Sequence, residues 1–193
     1  RKKILIKILG LKPTILFFGG SQGSETINDF VLIILNDLLG NYEVIHITGP
    51  KNYTKAQVES KLILKEELDK YYHLYPSLNE IELKHAYKVS DLIVARAGSG
   101  TIFEIAAVGK PSILIPLPSA ASNHQSKNAY RYANTGTAVV IEEENLTLNF
   151  FLAEINQLIS QPKLLAKMQE AAFKFAKPEA AKEIAKEIIK YLK

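Results

Sequence analysis

The fold of this chain is decided by the stretch DLIVARAGSGTIFEIAAVGKP, which covers residues 91–111. It begins with the apolar run 92–95, which has the length of a buried strand. The small residues 97–100 then predict a turn, and from Thr101 the apolar residues recur at the spacing of a helix that ends at Gly109. A strand, a glycine-rich turn and a helix in this order are typical of phosphate sites, because the free N–H groups of a first helical turn favour an anion.

A purely structural interpretation of the same residues exists. Thr101 and Glu104 have the spacing of a capping box, in which Glu104 would only bond the backbone at the start of its own helix. A second glycine-rich turn favours ligand binding instead, since a strand at 14–18 runs directly into the sequence GGSQGS at 19–24. Within that turn, Ser21 has its own structural alternative as a helix cap.

The composition predicts one globular domain. The chain has 193 residues, of which 47% are hydrophobic, and no segment approaches the roughly 20 apolar residues of a membrane span. Cysteine is absent, which excludes disulfides and suits a reducing compartment, and four scattered histidines predict no metal site. We expect no signal peptide. Because the chain begins with Arg1 rather than Met, we expect it to be a piece of a longer protein.

The net charge of +4 comes from lysines spread along the chain. Lysine on solvated helix faces is its ordinary explanation, and weak attraction to an anionic membrane surface is the functional alternative. Nucleic-acid binding is not expected, because no dense arginine cluster and no interleaving of aromatic and basic residues occur.

Strands and helices alternate along the whole chain. Strands are predicted at 14–18, 43–48, 71–74, 92–95, 112–115 and 138–141. Helices are predicted at 24–40, 53–70, 82–89, 101–108, 123–134, 147–160, 162–176 and 178–191, with a short helix or entry arm at 1–11. This alternation predicts an α/β fold with a doubly wound, Rossmann-like parallel sheet, helices on both faces, and additional C-terminal helices from about residue 147.

In such sheets, ligands bind outside the carboxyl ends of the strands. Three predicted loops meet there, at 19–24, 96–101 and 116–125. They suit a phosphorylated ligand with several hydroxyl groups, because they bring together glycine turns and the side chains of Ser21, Ser99, Glu104, His124, Gln125 and Asn128. The glycine spacings fit neither an NAD fingerprint, nor a P-loop, nor a G-x-S-x-G elbow.

Three motifs occur in a recognisable order. They are Gly19-Gly20-Ser21-Gln22-Gly23, Arg96-Ala97-Gly98 followed by Thr101 and Glu104, and His124-Gln125 followed by Asn128-Ala129. Together they resemble the C-terminal domain of the MurG family of peptidoglycan glycosyltransferases over essentially the whole chain. The resemblance implies that residues 1–193 are one half of a two-domain GT-B enzyme, the half that binds the donor UDP-N-acetylglucosamine.

The resemblance also implies contacts to the nucleotide. Those to the diphosphate come from the two glycine turns, through Ser21, Gln22, Ser99, Gly100, Thr101 and Ile102. Glu104 would bind the ribose, and the backbone of Leu78 would meet the uracil.

The sugar contacts follow in the same way. Gln125 and Asn128 would hold hydroxyl groups of N-acetylglucosamine, and Arg1 matches an arginine that follows the interdomain linker. The loop at 118–122 departs from the commoner pattern of the family, which leaves the sugar selectivity open.

The resemblance further implies what this half lacks. The acceptor site, the general base and most of the membrane-docking surface belong to an N-terminal domain without a counterpart here, and His124 is only a weak candidate base. We therefore expect donor binding without transfer, no cofactor and no metal. In the complete enzyme, the acceptor is lipid I and the location is cytoplasmic, peripheral on the inner face of the plasma membrane. Two alternatives stay open, a non-catalytic nucleotide-sugar-binding module that acts with a partner chain and an epimerase-like domain.

Overall fold

The sheet has the predicted architecture. The computed structural model describes residues 8–191 of the chain. Within them, six parallel strands form one sheet: β1 (Thr14–Phe18), β2 (Glu43–Ile47), β3 (Tyr72–Tyr75), β4 (Leu92–Ala95), β5 (Ser112–Leu114) and β6 (Ala138–Val140). Their order is β3-β2-β1-β4-β5-β6, so the winding reverses between β1 and β4. The prediction of a doubly wound, Rossmann-like sheet is confirmed.

Helices cover both faces of the sheet. In chain order they are α1 (Glu25–Ile33), α2 (Leu35–Asn41), α3 (Tyr53–Ile63), α4 (Glu80–Val89), α5 (Ser99–Val108), α6 (His124–Ala133), α7 (Leu148–Ile159), α8 (Pro162–Phe175) and α9 (Ala180–Lys190). Successive strand residues point to opposite faces. Ile15 and Phe17 of β1 therefore pack into one hydrophobic core with α1, α2 and α7, and Leu16 and Phe18 pack into a second core with α4, α5 and α6.

The first helical segment is broken where one continuous helix was expected. The residues predicted at 24–40 form α1 and α2, with Ile34 between them in a non-helical conformation (φ −98°, ψ 7°). The apolar run at this point contains more large side chains than one helical stripe can bury. After the break, Ile34, Leu35 and Leu38 are all completely buried, and Ile33 is the residue left in solvent.

The helix predicted at 53–70 is too long. α3 ends at Ile63, and a separate 3₁₀ helix spans Glu66–Tyr71. The Asn36 side chain on α2 ends α3. Its NH₂ group donates to the Ile63 carbonyl (2.9 Å), and its amide oxygen accepts from the Lys65 N–H (3.2 Å). The turn brings Leu64 and Leu68 back onto the first core.

The two ends of the chain differ from the prediction in detail. Residues 1–7, which hold most of the predicted entry arm, lie outside the described residues. Pro178 precedes α9 instead of occupying its first turn, whereas Pro162 does begin α8. Across residues 8–191, no helix is both long enough and apolar enough to cross a bilayer.

Candidate functional site

The first glycine turn joins β1 to α1. Ser24, and not Ser21, caps α1, since its hydroxyl accepts from the Ile27 N–H at 3.4 Å. Ser21 does not cap the helix, and it is exposed. Gly23 (φ +80°) lies so close to the loop after β2 that a Cβ atom there would be 2.0 Å from the Thr48 carbonyl oxygen. The first turn is thus held against its neighbour by backbone contact.

The second glycine turn joins β4 to α5. The helix begins at Ser99, two residues before the predicted start at Thr101, and its N-cap is Gly98, which has no side chain to bond the first turn. The Ile102 N–H donates to the Gly98 carbonyl (3.0 Å), so the amides before it, of Ser99, Gly100 and Thr101, are those without an intrahelical acceptor. Gly98 has no side chain that could accept hydrogen bonds from these three amides, whereas a bound anion could accept them.

The capping-box interpretation of Glu104 is wrong. Because α5 begins at Ser99, Thr101 lies inside the first turn, and the helix start has no side-chain cap. The Glu104 carboxylate instead accepts a hydrogen bond from the Tyr87 hydroxyl (2.9 Å) on α4. Burial and the nearby Glu104 charge raise the pKa of Tyr87, so its phenol remains a proton donor that holds the exposed carboxylate in place.

These loops surround a cleft of about 950 Å³ at the carboxyl end of the sheet. It is lined by most of the predicted site residues, namely Ser21, Gln22, Leu78, Ser99, Gly100, Thr101, Glu104, His124 and Gln125. Ile102 and Asn128 line an adjoining cavity instead, with the Ile102 side chain buried. Arg1 lies outside the described residues.

Side chains at the start of α6 are partly engaged by the loop before it. The side-chain amide oxygen of Gln125 accepts from the Leu117 N–H (3.1 Å), which leaves the side-chain NH₂ group for another partner. The ring Nδ1 of His124 lies 2.8 Å from the Ala121 carbonyl, a contact that fixes the ring to its own loop. The Asn128 amide lies 3.5 Å from the Ala97 carbonyl, on the side of the cleft near the second glycine turn.

Comparison with known proteins identifies the family. The family model of the glycosyltransferase family 28 C-terminal domain matches residues 14–186. This chain belongs to that family.

Two curated relatives of this family 28 domain carry the same description. Proteins from Anaeromyxobacter sp. strain K (37% identical over 182 residues) and Alkaliphilus oremlandii (39% over 177) are both called UDP-N-acetylglucosamine--N-acetylmuramyl-(pentapeptide) pyrophosphoryl-undecaprenol N-acetylglucosamine transferase. The matches cover 90% and 91% of this chain but 44% and 47% of those proteins. The chain therefore spans about half the length of the curated relatives it matches.

Solved structures agree with this assignment. Acinetobacter baumannii MurG superimposes with a TM-score of 0.77 at 27% identity, over 93% of this chain and 50% of that one. The resemblance to the MurG family is confirmed. Staphylococcus aureus MnaA, solved with UDP, has a TM-score of 0.67 at 20% identity over 94% of this chain and 46% of its own, a likeness that shows the fold alone.

Arg96 of the family 28 domain belongs to the second motif, but the sequence alone predicts no role for it. Its buried guanidinium donates to the Ser24 hydroxyl (2.8 Å) and to the Ile115 (3.3 Å) and Pro116 (3.1 Å) carbonyls. It also forms an ion pair with Glu143. Arg96 thus joins the first glycine turn, the loop after β5 and the turn at Glu143, and the first two of these line the cleft. An arginine directly after a buried strand was the available signal.

A second group of buried polar side chains lies beneath the first glycine turn. His46 contacts the Tyr72 hydroxyl through Nδ1 (2.8 Å) and the side-chain amide oxygen of Asn28 through Nε2 (3.0 Å). The Asn28 NH₂ group donates to the Thr48 carbonyl (2.9 Å), the same oxygen that Gly23 approaches. Complete burial lowers the pKa of His46 to about 3, so the ring is neutral and serves as a structural bridge.

The chemistry of the cleft is that of anion and diol recognition. The unsatisfied amides at the start of α5 and the first glycine turn both line it. Glu104 supplies an exposed acceptor suited to paired hydroxyl groups. Across residues 8–191, no three His, Asp or Glu side chains lie close enough together to ligate a metal ion.

Proposed function

We propose that this chain is the half of an inverting glycosyltransferase that binds UDP-N-acetylglucosamine. The complete enzyme would add N-acetylglucosamine to lipid I to make lipid II in peptidoglycan synthesis. The observation that carries the proposal is that both glycine turns line one cleft together with the Glu104 carboxylate, which a hydrogen bond from Tyr87 holds in place. The description shared by the curated relatives supplies the donor and the acceptor.

Each part of the donor has a group suited to it. The diphosphate would lie on the amides of Ser99, Gly100 and Thr101, and Ser21 and Gln22 of the first turn would also contact it. The Ile102 amide takes no part in this proposal, because its N–H is already bonded to Gly98.

The nucleoside and the sugar would lie at opposite ends of the cleft. Glu104 would accept hydrogen bonds from the ribose hydroxyls, and the Leu78 backbone would meet the uracil. The free NH₂ group of Gln125 would donate to hydroxyl groups of the sugar, and Asn128, which follows it on α6 and lines the adjoining cavity, would donate to the sugar from that side. Arg1 remains a proposed donor-binding residue, because it matches the family's arginine that follows the interdomain linker.

In the proposed reaction, this half of the enzyme would stabilise the negative charge of the leaving group. The C4 hydroxyl of lipid I would attack the anomeric carbon and lose its proton to a base, while the bond from that carbon to the diphosphate breaks and UDP leaves with the electron pair. The amides at the start of α5 would stabilise the charge that develops on the leaving diphosphate. The base would come from the half of the enzyme that this chain does not span.

The proposed location is the cytoplasmic face of the plasma membrane, with the complete enzyme bound there as a peripheral protein. The lipid-linked acceptor named in the relatives' description requires such a place, and the net charge of +4 suits an anionic surface. An acceptor domain, absent from this chain, is the proposed partner. We propose no nucleic-acid partner.

Calorimetric titration tests the proposal. We expect saturable binding of UDP-N-acetylglucosamine that is stronger than binding of UDP-glucose, with UDP bound and GDP and NADH excluded. Equal binding of GDP or NADH would contradict a uridine site. A folded chain that binds none of these ligands at millimolar concentration would contradict donor binding altogether.

A further inference from the structure

The loop between β5 and α6 ends in a left-handed corner, which is formed by Ser122 (φ 51°, ψ 23°) and Asn123 (φ 54°, ψ 33°). Across residues 8–191, every other residue with a positive φ is a glycine. Side chains clash with the backbone in this conformation, so a residue other than glycine stays in it only where the surrounding structure holds it there. Such conformations cluster at ligand sites. This one is separated by a single residue from Gln125, which lines the proposed donor cleft.

Helix capping does not explain Asn123. It is the N-cap residue of α6, a position where asparagine is common because its side-chain oxygen can accept from an N–H of the first turn. The Asn123 side chain makes no such hydrogen bond, and the residue is exposed. Its backbone is engaged instead, since its N–H donates to the Ala120 carbonyl (2.9 Å). Asparagine tolerates a left-handed backbone better than most residues do, and this tolerance accounts for its presence here.

The corner fixes how Gln125 meets the cleft. α6 begins directly after the corner, and Gln125 is its second residue. From there its side-chain amide oxygen reaches back eight residues and accepts from the Leu117 N–H (3.1 Å). Because a backbone N–H can only donate, this contact also orients the amide, and the NH₂ group is the part left to meet a ligand. Both Leu117 and Gln125 line the cleft, whereas Asn123 lines a separate surface pocket.

We propose that Asn123 is a positioning residue for the donor sugar. Its left-handed backbone holds Gln125 where the side-chain NH₂ group donates to a sugar hydroxyl, and Asn123 itself does not touch the sugar. The inference rests on the proposed function, in which Gln125 contacts N-acetylglucosamine. A residue that resists a positive φ at position 123 shifts the start of α6 and weakens this one contact. The diphosphate and ribose contacts are built on other loops and remain.

Calorimetric titration with UDP-N-acetylglucosamine and with UDP separates the sugar contact from the others. Asn123→Val introduces a β-branched residue, which resists a left-handed backbone. Affinity for UDP-N-acetylglucosamine should fall about three- to tenfold, the range of one neutral hydrogen bond, and UDP affinity should be unchanged. Asn123→Gly should bind both ligands as the wild type does, because glycine adopts a positive φ without strain. Asn134→Val is the matched control, since it makes the same change at an exposed, right-handed residue after the other end of α6.

A double variant shows whether Asn123 acts through Gln125. Gln125→Ala alone should weaken UDP-N-acetylglucosamine by about the same three- to tenfold and leave UDP unchanged. Adding Asn123→Val should cause no further loss, because the contact that it disturbs is already absent. Losses that multiply in the double variant would contradict the inference. Asn123→Ala, a smaller perturbation of the same kind, carries the test if Asn123→Val does not fold.

Three other results would overturn the inference. These are an equal loss of UDP affinity in Asn123→Val, a loss in Asn123→Gly as large as in Asn123→Val, and a loss of the same size in Asn134→Val. If Gln125→Ala weakens the donor and Asn123→Val does not, the positioning role alone fails. If Gln125→Ala has no effect, the sugar contact of the proposed function fails, and if no uridine nucleotide binds, the proposed function fails as a whole.

Discussion

Replacement of Arg96 by methionine should destabilise the domain and disorder the cleft together. The change removes a buried guanidinium from Ser24, from two backbone carbonyls and from Glu143. Since the Glu143 side chain is only 24% exposed, it is left with a charge that solvent screens incompletely. Losing one partner of a buried ion pair costs about 3–5 kcal/mol, a large part of the roughly 5–15 kcal/mol that stabilises a typical domain.

Urea denaturation followed by circular dichroism measures this loss. Arg96→Lys keeps the charge but cannot reach all four partners at once, so its free energy of unfolding should lie between those of the wild type and Arg96→Met. UDP affinity should fall in the same order, because two of the loops that Arg96 joins line the cleft. A loss below about 1 kcal/mol in Arg96→Met, with UDP affinity unchanged, would refute the reasoning, since that is the range of a solvent-exposed pair.

Three further predictions concern the residues that support the cleft. Tyr87→Phe should weaken UDP binding about three- to tenfold in calorimetry, because Glu104 loses the donor that orients it; unchanged affinity would mean that the contact is incidental. Gly20→Ala should lower the free energy of unfolding by about 1–2 kcal/mol, because alanine is strained at a positive φ. Gly23→Ala should lower it further, because the added Cβ would also meet the Thr48 carbonyl oxygen; equal losses would contradict the close backbone contact between the first glycine turn and the loop after β2. The pKa of His46 is about 3 in the folded chain and 6.5 in its ordinary state, so between these pH values the unfolded chain binds a proton that the folded chain does not. The free energy of unfolding of the wild type should therefore fall by up to about 1.4 kcal/mol per pH unit as the pH drops from 6.5 towards 3. His46→Gln should show a shallower fall, and identical slopes would exclude His46 as the cause.

The sequence predicts the sheet well because its signals are local. Each strand is a short apolar run next to a turn, and the right-handed crossover rule then fixes where consecutive strands lie. The positions of the cleft residues follow from the same rule, since the carboxyl ends of neighbouring parallel strands meet at one edge. That is why Ser21, Ser99 and Gln125, taken from three separate loops, line one cleft.

The contacts that hold the cleft depend on distant residues and could not be predicted. The partner of Glu104 is Tyr87, 17 residues earlier, so the local capping-box pattern was misleading. Arg96 bonds Ser24 across 72 residues of sequence. The end of α3 at Ile63 is set by a hydrogen bond from the Asn36 side chain on another helix. The hydrophobic periodicity of α3 itself does not indicate such a contact.

Isothermal titration calorimetry with two nucleotides and two protein variants tests whether the Glu104 carboxylate accepts hydrogen bonds from the ribose of a uridine nucleotide. UDP and 2′,3′-dideoxy-UDP are titrated into the wild type and into Glu104→Ala. We expect the variant to lose about 1.5–3 kcal/mol of binding free energy for UDP, roughly ten- to a hundredfold in affinity, and almost nothing for the dideoxy compound. Equal losses for both nucleotides, or none for either, would contradict it.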